Sequence, residues 1–551
     1  MKTDKTFRNI AAFALIALLS ASCRNGAEGL TATLTLDNVP LLALKESNET
    51  GILQTCNPGE SPVGVKGLSI RLSATGGLSD VESVTLRREG KDLTTVKISG
   101  KGGRGRFTCK DSFTIAPGSA GMSVHFRMKD EVNLANRISV RGLELRTELG
   151  TVSADCSRVP VLRTGVALRQ AGQDGVNNCR IPGLVTTTRG TLLAMYDARR
   201  DADRDLQGDI DICYNRSTDG GRSWSGMMTA LDMGEYGGLP QKYNGVSDGS
   251  MTVDMNTGEI YVTGCWMHGV LDEKTGEFIE GLTEESTEWN HQWRSHGSQS
   301  GYDPKRSSQY LIAKSTDDGL SWTEPQNITR QVKPESFWLM APAPGAGITL
   351  EDGTVLIPSE GRDENGTQFS TVIWSRDGGM SWTAGTPACT NTNECMTVQL
   401  SDGSIMLNAR ERSNRGKTEG NGRMIVTTAD LGKTWERHPT SQNALIEPAC
   451  QASLLKHVYT APDGTRTPLL LFFNPSSTSE RNNFTLKCSI DDGMSWPEDL
   501  WVQFDCKSGN GYSCMSSIDN DTIGILYEGS GANLVFQQFK VTEIIDLINK
   551  K

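Results

Sequence analysis

Ser217–Trp224 reads STDGGRSW, and the same arrangement, Ser-x-Asp-x-Gly-x-(Ser/Thr)-Trp, returns three more times. Ser315–Trp322 is STDDGLSW, Ser375–Trp382 is SRDGGMSW and Ser489–Trp496 is SIDDGMSW. A fifth copy, TADLGKTW at Thr428–Trp435, has Thr in place of the first Ser. The central aspartates Asp219, Asp317, Asp377, Asp430 and Asp491 stand 98, 60, 53 and 61 residues apart. A repeat of about 60 residues marks an array of similar units.

The octet has the chemistry of a tight turn between strands. An Asp carboxylate can accept from backbone N–H groups ahead of it. The Gly supplies a left-handed position without a Cβ penalty. The Trp is an apolar anchor large enough to tuck between neighbouring units. Each copy follows a strand-like apolar run, such as YLIAK before Ser315 and MIVTT before Ala429. A repeated four-stranded unit of this length predicts a β-propeller blade. The repeats resemble the Asp boxes of sialidases and related propellers, and they are read as folding elements, so none of the five aspartates is a catalytic candidate.

The 551 residues leave room for more than one domain. Net charge is −11, with no basic block, which argues against a nucleic acid partner. Lys2, Lys5 and Arg8 precede an apolar run from Ile10 to Leu19 that is too short to span a bilayer. Ser20-Ala21-Ser22-Cys23 then resembles a bacterial lipoprotein cleavage site. Residues 1–23 are accordingly read as a signal peptide of lipoprotein type, with Cys23 lipidated and residues 24–30 as a tether. That reading implies an exported protein, periplasmic or anchored in a bacterial outer membrane; plain secretion is the alternative. The other twelve of the 13 cysteines have irregular spacing and no CxxC, and read as buried free thiols. No HExxH or other metal-ligand spacing is present, so neither a metal nor a cofactor is expected.

Residues 31–159 contain no box. Alternating runs such as TATLTLDNV, GLSIRLSA and ISVRGLELRTE predict antiparallel strands packed as a β-sandwich-like domain. Its role is open between a sugar-binding module, which the absence of Trp disfavours, and a structural domain. Residues 160–551 are expected to form a six-bladed propeller, giving an all-β protein overall. The 98-residue interval holds an insertion, His268–Pro304, that reads as a long loop carrying Trp289, Trp293 and Tyr302. Loops on a rigid scaffold are where substrate contacts gather.

Cys179-Arg180-Ile181-Pro182 opens the boxed region and resembles the (Phe/Tyr)-Arg-Ile-Pro motif of sialidases, with Cys in the aromatic position. Taken residue by residue, this resemblance implies the following site. Arg180, Arg410 and Arg481 grip the substrate carboxylate, with Arg412 a second possibility for Arg410. Asp205, 25 residues after Arg180, is the acid/base, ahead of Asp201, Asp203, Asp209 and Asp211. Arg199 lines the sugar site. Asp248 is a pocket aspartate, although Gly249 follows it where the family has Pro. Glu394 and Arg410, 16 residues apart across a turn at Ser401-Asp402-Gly403, are the catalytic Glu and the second arginine. Tyr512 is the nucleophile.

The chemistry suits a sialic acid, which has a carboxylate on its anomeric carbon. Guanidinium groups can hold that carboxylate by charge-assisted bonds. A neutral phenol avoids the repulsion that a carboxylate nucleophile would meet. Glu394 would accept the phenol proton. Asp205 would protonate the leaving oxygen, which calls for a carboxyl raised by partial burial. The resemblance therefore implies a monomeric exo-α-sialidase acting with retention on sialylated glycans. Hydrolysis of a related keto-sugar acid, intramolecular trans-sialidase activity and a non-catalytic glycan-binding propeller are the alternatives.

Overall fold

The computed structural model describes residues 29–206 and 208–550. The signal-peptide and Cys23 readings lie outside them. The chain divides into two compact units after Val166. That division falls inside the strand Leu162–Arg169, seven residues beyond the boundary read from the sequence. Its first half belongs to the first unit because Thr164–Val166 pairs with Leu41–Ala43, and Leu162 and Arg163 pair with Ile138 and Arg137.

The first unit is built on two sheets. One has the order Asp155–Arg158, Thr31–Leu36, Asn48–Asn57, Gly118–Met128, Val81–Arg88, Lys91–Lys97. The other is centred on Val63–Ala74 and Arg137–Thr147. Alternation decides which face is inward: in Thr31–Leu36 the residues Ala32, Leu34 and Leu36 are buried and the threonines exposed. Leu53, Phe126, Ile70 and Leu145 are likewise fully buried.

The second unit is a succession of antiparallel sheets. Their inner strands include Asn178–Thr186, Val246–Val253, Val355–Arg362, Thr392–Gln399, Ser453–Thr460 and Ser513–Asp519. Each touches its successor, and Ser513–Asp519 touches Asn178–Thr186, so the ring closes as in a propeller. Thr186 and Ser516 share a 2.8 Å hydroxyl hydrogen bond at that closure. The insertion after Trp266 is more ordered than a bare loop. It holds a short ribbon, Val270–Leu271 with Asn290–His291, and a helical turn at Gln292–Ser295. Of the twelve cysteines read as buried free thiols, eleven are free and seven of those are buried, whereas Cys56 is disulfide-bonded.

The boxes do the local work expected of them. Asp219 Oδ1 accepts from the N–H groups of Arg222 and Ser223 at 3.1 and 3.0 Å and from Ser217 Oγ at 2.8 Å. Ser223 Oγ donates to Asp219 Oδ2 at 2.6 Å, and Gly221, at φ 92°, donates its N–H to Ser217 Oγ. Trp322 packs edge-on to Tyr214 of the preceding sheet, and Trp382 to Tyr261. Trp224 meets Phe536, stitching the first sheet to the last.

Burial opposes ionisation of Asp219, but the bonds from Ser223, Ser217 and Arg222 outweigh it and hold the carboxyl down at about 2, against an ordinary 3.8. A depressed carboxyl contributes stability that is present above the ordinary value and lost as pH falls through about 2. Asp219→Ala strips several such bonds and is expected to cost about 1–3 kcal/mol. Thermal unfolding at pH 7 checks this: the midpoint falls in the variant, and the gap between variant and wild type closes toward pH 2. An unchanged midpoint at pH 7 would remove the structural role of the box.

Candidate active site

Several of the site residues stand where a strand departs from regular pairing. In Asn178–Thr186 the register shifts between Arg180 and Gly183, and Ile181 has φ 62°. In Val246–Val253 it shifts between Ser247 and Ser250, with Asp248 at φ 56°. In Thr392–Gln399 it shifts between Thr392 and Cys395. These irregularities re-aim side chains that strict alternation would place elsewhere. Arg180, Asp248 and Glu394 are thereby brought to one cavity of about 410 Å³, lined also by Asp205, Arg410, Arg481 and Tyr512. Gly249 fits its own departure from the family motif. A Cβ there would stand 3.1 Å from both Ile212 and Met195, so the bulge closes tightly over the sheet.

Tyr512 and Glu394 are 6% exposed, and the Tyr512 hydroxyl donates to Glu394 Oε1. Arg410 Nη1 donates to Glu394 Oε2 at 2.6 Å and to Tyr512 Oη at 3.0 Å. The hairpin made by Thr392–Gln399 and Ile405–Glu411 returns Arg410 beside Glu394, as their spacing requires. Arg412, the second possibility, lines the cavity without touching either. The guanidinium carbons of Arg180 and Arg481 lie 5.7 and 5.6 Å from the Tyr512 ring centroid. All three arginines therefore gather around the phenol. Gly511, at φ 101°, makes room: a Cβ there would stand 3.0 Å from Arg481 Cδ.

Burial would raise the Glu394 carboxyl, but Arg410 and the Tyr512 hydroxyl prevail and hold it below the ordinary carboxylate value. Burial, and then Glu394, push the Tyr512 phenol well above its ordinary value against the pull of Arg410 and Arg481. The pair is thus a carboxylate beside a neutral phenol, the arrangement of a base and a nucleophile still holding its proton.

Arg199, buried at 1% exposure, carries the acidic side of the cavity. It pairs with Asp197 at 3.0 Å, Asp205 at 2.8 Å and Asp203 at 3.6 Å. Asp197 in turn accepts the Asp248 backbone N–H at 3.1 Å. Asp203 also reaches Arg180 at 3.3 Å, whereas Asp205 lines the cavity. Asp209 and Asp211 are engaged by Arg200, at 3.3 and 2.8 Å. Burial and then repulsion from Asp197 raise Asp248 well above the ordinary carboxylate value. The partial burial expected of Asp205 is not found. Its side chain is 62% exposed where it lines the cavity, although it pairs with the buried Arg199 at 2.8 Å.

Sequence reasoning missed Glu528 and Glu360. Glu528, 1% exposed, accepts from Arg180 Nε at 2.7 Å and from the backbone N–H of Ile181 and Tyr512 at 2.8 and 3.1 Å. One carboxylate thus ties Arg180 to the backbone of Tyr512. Glu360 lines the cavity near Glu394 and Arg410. Trp293, from the insertion, also reaches the cavity.

A BNR repeat-like domain is matched over residues 190–525. The chain is 41% identical over 383 residues to a sialidase of Bacteroides fragilis, covering 70% of this chain, and 32% identical over 373 residues to a sialidase of Micromonospora viridifaciens, covering 65%. The solved Hadza microbial sialidase Hz136 superposes with a TM-score of 0.80 at 30% identity, covering 92% of this chain and 99% of that one. The chain belongs to the sialidase family. The matched segment spans 66% of the Bacteroides fragilis relative and 51% of the Micromonospora one. The five boxes, Arg410, Arg481 and Tyr512 of this sialidase fall within residues 190–525, and Arg180 stands ten residues before them.

Proposed function

We propose that this protein is an exo-α-sialidase that releases terminal sialic acid from sialylated glycans with retention, through a covalent tyrosyl intermediate. The observation that carries the reading is the contact of the buried Tyr512 hydroxyl with Glu394, with three guanidiniums gathered around the ring. The substrate carboxylate seats among Arg180, Arg410 and Arg481, which fixes the anomeric carbon over Tyr512. Tyr512 attacks that carbon as Glu394 takes its proton, so no free phenolate has to form. Asp205 gives a proton to the departing oxygen, then takes one from the water that releases the sugar. Two displacements at one carbon give net retention. Because Asp205 is exposed in the free protein, it is the incoming aglycone that covers and desolvates it.

The direct test is release of free sialic acid from sialyl-lactose by the full chain. Turnover with the α-anomer as first product supports the reading. A folded protein that binds the trisaccharide without cleaving it would leave a glycan-binding propeller instead, and an anhydro-sugar product would make it an intramolecular trans-sialidase. The acid role has its own signature. Asp205→Asn should lower kcat on sialyl-lactose by about 10²–10⁴-fold, but only about tenfold or less on an aryl sialoside whose leaving group needs no proton. Equal losses on the two substrates would place the acid elsewhere.

A further inference from the structure

Arg362 and Arg412 line the cavity, yet among the described residues neither has an ion pair or a side-chain hydrogen bond. Their positions are linked through the backbone. Arg362 pairs in register with Gln368 at the end of Val355–Arg362. The Asn391 N–H donates to the Gln368 carbonyl at 2.9 Å, and the Arg412 N–H donates to the Asn391 carbonyl at 2.8 Å. One lip of the cavity therefore carries both arginines, next to the strand that presents Glu394. Both residues are half-buried, so their charges keep only part of their hydration. Burial, then Arg410, act against the charge on Arg412 and lower it from the ordinary guanidinium value.

The same lip has unmet hydrogen-bonding capacity. Gln368 Oε1 and Asn393 Oδ1 are buried without a partner among the described residues, and both residues line the cavity. Unsatisfied buried polar atoms in a native fold call for an explanation, and a ligand is one. Glu360 does not neutralise the lip. Burial and then repulsion from Glu394 push its carboxyl up to about 8 against the pull of Arg410, Arg362 and Arg412. The substrate's own carboxylate is already provided for by Arg180, Arg410 and Arg481. Two further guanidiniums exceed what a singly charged sialoside can use.

We infer that Arg362 and Arg412 form a second anion subsite, so that the preferred sialoside carries a second negative group beside its terminal carboxylate. Two sources share that chemistry, the carboxylate of a penultimate acidic sugar and a sulfate ester on the aglycone. Gln368 and Asn393 would meet neighbouring hydroxyls. This inference rests on the sialidase reading.

The experiment compares kcat/KM of the full chain on three substrates: sialyl-lactose, an α2,8-linked disialyl-lactose and a sulfated sialyl-lactose. At low salt, at least one doubly charged substrate should be favoured by about tenfold, or about 1.4 kcal/mol, and that preference should shrink as salt rises. In the double variant Arg362→Gln, Arg412→Gln the ratio should fall to about unity. The disialyl and sulfated arms tell the two sources apart. Turnover of all three at equal kcat/KM overturns the subsite while leaving the sialidase reading intact. A wild-type preference insensitive to salt, or unchanged in the double variant, also overturns it. No turnover of any substrate overturns the sialidase reading and the inference with it.

Discussion

Tyr512→Phe is expected to abolish release of sialic acid from sialyl-lactose, with kcat falling at least about 10³-fold, as when the nucleophile of a covalent mechanism is lost. The substitution removes one oxygen and little else. The ring packs against Ile181 and Cys450 and is flanked by Arg180 and Arg481, and all of those contacts survive in Phe. Arg410 keeps its 2.6 Å bond to Glu394, so the carboxylate remains paired. The seat for the substrate carboxylate is thus preserved and KM should change far less than kcat. That split separates a lost nucleophile from a collapsed site. If Tyr512→Phe retained substantial kcat, Glu394 or water would have to be the attacking group. The product would then reveal which, because direct attack by water inverts the anomeric carbon.

The parts of this molecule that were legible in the sequence are the ones built from local contacts. The boxes can be read because Asp219 bonds to Ser217, Arg222 and Ser223 within the same octet. Glu394 and Arg410 can be read because one hairpin joins them. In the first unit, TATLTL shows its inward face by alternation alone. What could not be read depends on distant partners or broken periodicity. Glu528 stands 348 residues from the Arg180 it holds, and nothing in LYEGSG distinguishes it from a surface glutamate after a buried strand. The bulges at Ile181, Asp248 and Asn393 interrupt the period-two pattern that reveals strands. The sialidase resemblance places the acid/base at Asp205 through its distance from Arg180, which says where a residue sits along the chain but not how exposed it is. The same limit hid the lip at Arg362 and Arg412, since their proximity arises from lateral pairing of different strands.

Arg410→Ala should lower kcat/KM on sialosides by about 10²–10⁴-fold, and its pH dependence carries the more searching test. Arg410 serves twice. In the proposed mechanism it is one of three groups that hold the substrate carboxylate, and a buried charge-assisted contact of this kind is worth several kcal/mol when one partner is truncated. It also sets the state of the base. Burial alone would raise the Glu394 carboxyl, and Arg410 is the largest influence opposing it. In the wild type Glu394 is therefore expected to stay ionised below the ordinary carboxylate range, and the acidic limb of kcat/KM is expected to lie low. Without Arg410 burial prevails, the carboxyl rises, and the acidic limb must move to higher pH. Arg410→Lys should restore part of that displacement, because an ammonium supplies the charge, yet little of the rate, because it lacks the guanidinium's two-pronged grip. A pH profile that falls uniformly without shifting would mean that Arg410 binds substrate but does not govern Glu394. Wild-type activity in Arg410→Ala would remove it from the site altogether and return Arg412 to contention as the second arginine.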